Sequence, residues 1–149
     1  MSQVAERHAF ERPQSIRFSH CDPAGLVFFP HYLVMFNQLV EDWFTEGLGL
    51  PYAEILGPRR VGLPTVSLAC DFTAPSRMGE VVTLGLSLER IGGASIGLRL
   101  GVRCGDEARV KARQVLVTTS LDTHRALPIP EDMRRALLDF GQTQHGDTA

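Results

Sequence analysis

What this sequence has little of narrows its class first. Its 149 residues include three cysteines, Cys21, Cys70 and Cys104. An odd number at wide spacings gives neither a disulfide framework nor a zinc pattern, and the reading is reduced thiols in a cytoplasmic protein. Neither sign of charge is in excess, since 15 Lys and Arg stand against 17 Asp and Glu. Nucleic-acid binders normally carry a clear basic surplus, so no nucleic-acid partner is expected. Arg99, Arg103, Arg109 and Arg113 read as solvent faces of strands. No apolar run reaches the roughly 18 residues of a membrane helix. The opening stretch MSQVAERHAFERPQ is charged and lacks the apolar segment of a signal peptide. A soluble cytoplasmic chain with no membrane partner follows. His8, His124 and His145 fall in loops or tails without metal-ligand spacing, and no metal is expected.

What is present is a globular pattern. The length suits one domain, and 44% hydrophobic residues suffice to bury a core. We read residues 1–149 as a single domain, with a polar N-terminal arm over about 1–12 and a flexible tail over about 141–149. Residues 14–19 (QSIRFS) alternate Ile16 and Phe18 with polar neighbours, as a half-buried strand does. A turn follows at Asp22-Pro23-Ala24-Gly25, where proline fixes one backbone angle and glycine frees another.

Residues 30–46 read as a helix. Leu33, Phe36, Val40, Trp43 and Phe44 recur at spacings of three and four, Pro30 suits a first turn, and Gly47 suits the stop. Leu39 and Val34 lie off that stripe, which predicts cover on more than one side. Trp43 and Phe44 read as core. The glycine- and proline-rich stretch that follows predicts a loop with one helical turn near Tyr52–Leu56.

The period then changes to two. Val66, Leu68, Cys70 and Phe72 alternate with other residues, as do Val82 to Leu88 and Ile96 to Cys104, with turns at Gly92-Gly93 and Gly105-Asp106. In a last strand over 107–121 the apolar set shifts from Val110 and Ala112 to Val115 and Val117, which predicts a bulge. Residues 130–140 read as a short terminal helix, opened by Pro130 and Glu131-Asp132. One long apolar helix followed by an antiparallel meander gives an α+β fold in which the sheet wraps the helix. Exposed sheet edges are normally paired or protected, so a dimer joining two sheets is expected.

The stretch His20-Cys21-Asp22-Pro23-Ala24-Gly25-Leu26-Val27-Phe28-Phe29-Pro30-His31-Tyr32 carries the chemistry. It places a carboxylate at a strand end, a glycine turn that lets the backbone approach a ligand, and a helix start with free N–H groups. A carbonyl oxygen gathering negative charge can be stabilised there. The carboxylate can act on the same carbonyl, as a nucleophile or through a water. The same residues also make an ordinary turn with an aspartate cap, and the residue pattern alone leaves both readings open. Cys21 adjoins Asp22 without a Cys–His–acid arrangement, so a nucleophilic thiol is not expected.

This stretch resembles the active-site signature of the 4-hydroxybenzoyl-CoA thioesterase family, which has the hotdog fold. Asp22, Gly25, Val27, Phe28, Phe29, His31 and Tyr32 match the signature in order, and the coarse strand–helix order matches over roughly 13–122. The resemblance implies hydrolysis of an acyl-CoA thioester without metal or redox cofactor. It implies Asp22 as the catalytic carboxylate and the Phe29 backbone N–H as the group polarising the thioester carbonyl. It implies substrate contacts from His20, Gly25, Phe28, His31, Asn37, Thr65 and Ser67.

Two residues depart from the signature. His20 replaces its first aspartate, where an imidazole can tune Asp22 or be a hydrogen-bonded structural residue. Asn37 replaces a helical acid that faces the ring hydroxyl of hydroxybenzoyl substrates, which leaves another aryl-CoA or a medium-chain acyl-CoA equally open. Of the family's basic cluster for coenzyme A, Arg90 remains, with Ser95 as a donor; Arg59, Arg60 and Arg77 are the other cations considered. A separate hotdog branch uses a helical glutamate, but Glu41 lacks that branch's motif and reads as an exposed or paired residue. The expected partners are an acyl-CoA and further copies of the chain, as a homodimer or a dimer-of-dimers tetramer. The alternatives are a thioesterase acting on acyl-carrier protein and a non-catalytic acyl-CoA binding module.

Overall fold

A computed structural model describes residues 4–146 of the chain. Its elements are β1 (Phe10–Ser15), α1 (Pro30–Asp42), α2 (Tyr52–Leu56), β2 (Val61–Gly62), β3 (Thr65–Phe72), β4 (Val81–Ile91), β5 (Ser95–Cys104), β6 (Glu107–Val117), β7 (Thr119–Ser120) and α3 (Glu131–Gly146). Five strands form one antiparallel sheet in the order β1-β4-β5-β6-β3, and β2 pairs with β7 separately. The sheet curls over α1, which is the hotdog arrangement.

Apolar periodicity makes α1 the centre of the core. Tyr32, Met35, Phe36, Leu39 and Val40 are buried along it, and a π-helical turn over Trp43–Gly47 buries Trp43 and Phe44 completely. Leu39 thus belongs to the buried stripe, whereas Val34 is 53% exposed in the single chain. The core-facing strand positions Val82, Leu84, Leu86, Ile96, Leu98, Leu100, Val102, Val110 and Leu116 close over this helix.

Several boundaries differ from the sequence expectation. The first strand covers 10–15, not 14–19; Ile16 is buried, but Phe18 sits in a short 3-10 turn and is exposed. The polar arm is shorter than expected, and its residues 1–3 lie outside the described residues. The tail expected over 141–149 is helical to Gly146, and 147–149 lie outside the described residues. Gln144 explains the longer helix. Its side chain accepts from Leu88 N at 2.9 Å and donates to Leu88 O at 2.7 Å, tying the last turn to β4. His145 therefore lies in a helix rather than a loop.

The bulge in β6 is real but sits elsewhere. Val102 pairs with Val110 and Arg103 with Ala108, so Arg109 is the extra residue. Beyond it the buried face runs Val110, Ala112, Gln114, Leu116 without a shift. The polar Gln114 at an inward position is what imitates a change of face. Arg109, expected at the surface, is buried at 7% exposure, and Arg103 is mostly covered beside Glu11. Arg113 stays open, and Arg99 pairs with Glu6 at 2.8 Å.

The segment before β1 lies across the outer sheet face. His8 Nδ1 is 2.8 Å from Ser87 Oγ, and its ring occupies a notch above Gly85 and Gly101, which face each other across β4 and β5. A Cβ at Gly85 would come within 2.5 Å of that ring. Burial pushes the His8 pKa down, with Arg99 and Arg103 acting in the same sense and Glu6 and Glu11 opposing.

Candidate active site

The turn after Phe18–His20 is held by its own backbone. Asp22 N donates to Leu26 O at 2.8 Å, Gly25 N donates to Asp22 O at 3.0 Å, and Phe28 N donates to His20 O at 2.9 Å. Gly25 has φ +78°, a left-handed value that favours glycine. Asp22 Oδ1 accepts from Ala24 N at 2.9 Å and from Leu26 N at 3.3 Å. That is the capping role the residue pattern allowed, although the amides belong to the turn and not to α1. Asp22 Oδ2 has no hydrogen-bond partner among the described residues.

The helix start supplies a second open group. Tyr32 N donates to Phe29 O and His31 N to Phe28 O. Phe29 N donates to no group among the described residues, and Pro30, which follows it, has no N–H. One free amide therefore stands at the positive end of a 13-residue helix. Phe28 and Phe29 are half exposed around it. Ring centroids lie 6.0 Å apart for Phe28 and His31, 6.1 Å for His20 and His31, and 6.0 Å for Phe29 and Phe72. His20, Gly25, Phe28, His31 and Phe29 thus gather on one turn beside Asp22.

His20 has a defined protonation pattern. Its Nδ1 accepts from Arg17 N at 2.9 Å, so that nitrogen carries no proton. Burial lowers the pKa of the ring, and His31 and Arg17 add to the effect. A neutral imidazole that braces the 3-10 turn accounts for these contacts.

A segment between β3 and β4 supports the whole turn. Val27 N donates to Ser76 O at 3.0 Å, and Met78 N donates to Gly25 O at 3.0 Å. Arg109 clamps that segment from behind. Its guanidinium donates to Pro75 O at 2.9 Å, to both Glu80 carboxylate oxygens at 2.8 and 3.1 Å, and to Glu107 Oε1 at 2.6 Å. The Arg109 side chain holds the Glu80 carboxyl down at about 2, from an ordinary 4.5. A folded-state pKa below the unfolded one adds stability above pH 4.5, which is lost as the pH falls through about 2. Arg109→Met should therefore lower the free energy of unfolding at pH 7 by about 2–3 kcal/mol, since it strands a partly buried carboxylate. Urea titrations at pH 7 and pH 3 check this. The gap between the two proteins should narrow at pH 3, and equal midpoints at pH 7 would refute the clamp.

The other expected residues lie elsewhere. A recess of about 410 Å³ between α1 and the sheet is lined by Val34, Asn37, Glu41, Leu63, Thr65 and Gln114, among others. It brings Asn37 and Thr65 together. Ser67 is exposed on β3 outside this lining, and Asp22 is outside it too. Gln114 was missed by the sequence reading; its signal was a polar residue on an inward beat of β6. Arg90 and Ser95 flank the β4–β5 turn, at the Thr65 end of the sheet. Phe72, beside Phe29, lies at the opposite end of β3, seven residues or about 23 Å away. In one chain, then, Arg90 and Ser95 are far from Asp22. Arg59 is engaged by Asp132 through two bonds of 2.8 Å, and Arg60 by Asp122. No metal-binding cluster of three or more His, Cys, Asp or Glu occurs among the described residues, and no described helix is long and apolar enough to cross a membrane.

Comparison with known proteins bears on the fold and the family. The chain is 35% identical over 86 residues to 1,4-dihydroxy-2-naphthoyl-CoA hydrolase of Synechococcus sp. (strain CC9902), covering 54% of this chain and 57% of that one. It is 32% identical over 72 residues to 4-hydroxybenzoyl-CoA thioesterase of Pseudomonas sp. (strain CBS-3), covering 48% and 51%. The matched stretches thus span little more than half of these two relatives. The solved 1,4-dihydroxy-2-naphthoyl-CoA thioesterase of Synechocystis shares the fold with a TM-score of 0.79 at 21% identity, over 87% of this chain and 96% of that one. The family model described as the thioesterase-like superfamily matches residues 16–137, which include the Asp22 turn, α1 and the whole meander, and the chain belongs to that superfamily.

Proposed function

We propose that this protein hydrolyses the thioester bond of an aroyl-coenzyme A, with Asp22 and the Phe29 amide as the acting groups. One observation carries the reading. Asp22 Oδ2 and Phe29 N–H are both unpartnered and sit at the two ends of a single hydrogen-bonded turn. Asp22 is partly buried and Phe29 half exposed in the single chain, so both groups are open to a ligand. The helix-start amide accepts the carbonyl oxygen and the negative charge that grows on it. Asp22 either attacks the carbonyl carbon, forming a mixed anhydride that water then opens, or takes the proton from an attacking water. Both routes break the C–S bond, release the CoA thiolate and end in the free acid. Neither route calls on a cofactor, because water and these two groups supply the chemistry. The names of the relatives, both aryl-CoA hydrolases, favour an aromatic acyl group.

A second copy of the chain completes this picture. β3 is an edge strand with Val66, Leu68 and Phe72 all 40% or more exposed. An open, apolar edge is a pairing surface. Two β3 edges meeting antiparallel around a two-fold axis place the Thr65 end of one copy beside the Phe72 end of the other. That arrangement moves one copy's Arg90–Ser95 turn to the same end of the joined sheet as the other's Asp22, where it can meet the CoA phosphates.

The deciding experiment is thiol release from a panel of aroyl-CoA, medium-chain acyl-CoA and acyl-carrier-protein thioesters. Turnover fastest on an aroyl-CoA is the expected result. Faster turnover of acyl-carrier-protein thioesters would shift the carrier, and ligand binding without any thiol release would overturn the hydrolase reading.

A further inference from the structure

We propose that Ser76 is a positioning residue that fixes the spacing between the Asp22 carboxylate and the Phe29 amide. The proposal rests on the thioesterase reading and deepens it, from which groups act to what holds them in place. The two groups belong to different pieces of structure. Asp22 lies in a loop turn, whereas Phe29 opens α1. A turn and a helix joined end to end keep a fixed spacing only when something outside both of them holds each one. A displacement of about 1 Å between reacting groups costs about a hundredfold in rate, so the holding point matters to the chemistry.

Ser76 meets the turn, the helix and the sheet at once. It is 1% exposed, a buried polar residue in the segment between β3 and β4. Its carbonyl accepts from Val27 N at 3.0 Å, which holds the turn. The buried Tyr32, on the first turn of α1, brings its hydroxyl against Ser76. Burial raises the Tyr32 pKa, and hydrogen bonds from the Ser76 side chain and backbone oppose that rise. From the sheet, Arg109 Nη1 donates to Ser76 Oγ at 3.3 Å. The segment that carries Ser76 is itself pinned at both ends. Thr73 N donates to Arg109 O at 2.9 Å, which fastens it to β6. Ile16 N donates to Glu80 O at 2.8 Å and Gly79 N to Ile16 O at 2.9 Å, which fastens it to the end of β1. The Arg109 clamp thereby reaches past stability: through Ser76 it bears on Val27 and Tyr32, which flank the Phe29 amide in the chain.

The test measures kcat and KM for thiol release from the thioester that the full chain turns over fastest. The variants are Ser76→Ala, Tyr32→Phe and the two combined, each made with and without Asp22→Asn. Thermal melts fix an assay temperature at which every variant is folded. Each single substitution should lower kcat by about tenfold to a hundredfold with KM nearly unchanged. The combined variant should lose little more than the larger single loss, because both changes break one contact. With Asp22→Asn already present, the same substitutions should have little further effect, since the spacing to the missing carboxylate oxygen no longer matters. A merely structural role would lower the rate by the same factor in both backgrounds. The two substitutions approach the contact from opposite sides, so a folding failure in one leaves the other to decide. Equal factors in the two backgrounds, or an unchanged kcat in both single variants, overturns the assignment and leaves the hydrolase reading intact. Absence of turnover on every thioester by the unaltered protein overturns the hydrolase reading and this inference with it.

Discussion

Asp22→Asn should lower kcat by roughly a thousandfold, with little change in KM or in melting temperature. The structural reason is that the two carboxylate oxygens have separate tasks. Oδ1 accepts from Ala24 N and Leu26 N and so sets the turn. Asparagine retains that oxygen and both of its bonds. Its amide nitrogen takes the place of Oδ2, the oxygen without a partner, and can neither attack a carbonyl nor accept a proton from water. The substitution therefore separates the cap from the chemistry in one atom exchange. Asp22→Ala, by contrast, removes both and should lower the melting temperature as well, since loss of such a cap costs about 1 kcal/mol. Full turnover in the asparagine variant would leave Asp22 as a turn residue alone.

A comparable loss, about a hundredfold to a thousandfold in kcat, is expected when the Phe29 amide hydrogen is deleted by Phe29→Pro. The position tolerates the ring in one important respect: φ is −52° there, close to the value of about −65° that proline imposes. The deleted N–H makes no bond within the described residues, so no internal hydrogen bond is given up. The Phe29 ring, 6.0 Å from Phe72, is lost at the same time. Phe29→Ala removes the same ring and keeps the N–H, and should lose far less. Equal losses in the two variants would assign the effect to the ring and remove the amide from the mechanism. Thermal melts of both variants distinguish a fall in kcat from a fall in folded protein.

The central helix, the site turn and the two long middle strands were legible in the sequence because each is specified locally. Leucines at every second position of β4 and β5 announce a buried face, and the apolar stripe of α1 announces its partner. What was not legible depends on neighbours distant in the chain. β1, with the sequence FERPQS, has one buried residue and a proline, and passes for a polar arm. It is a strand because it occupies a sheet edge, where Pro13 is tolerated and where the Arg12 guanidinium covers the Phe10 ring at 4.2 Å. Arg109 looked like one more surface cation. Its burial follows from the bulge that turns it toward Glu80, and that bulge is a property of the pairing with β5. The helical end of α3 depends on Gln144 reaching Leu88, 56 residues away in the chain.

The candidate site divides along the same line. Asp22, Gly25 and Phe29 were readable because a turn and a helix start are made by consecutive residues. Thr65 and Asn37 line one recess, whereas Ser67 does not reach it. The burial of Gln114 was invisible, since it comes from the register that sets the residue opposite Leu68 on β3 and Leu98 on β5 and places its amide beside Thr65. Arg90 and Ser95 stand at the opposite end of the sheet from Asp22 within one chain, a separation set by strand pairing and not by neighbouring residues.

The imidazole of His8 resting on two bare backbone positions has a consequence for how this sequence can vary. Gly85 and Gly101 make the room that the ring fills, so a methyl group at either one pushes the ring off its seat. The ring also forms part of the wall of a trough of about 380 Å³ on the outer sheet face, which Arg99, Arg103, Lys111 and Arg113 line as well. His8, Gly85 and Gly101 are therefore tied together: a side chain at either glycine and the seated imidazole exclude each other.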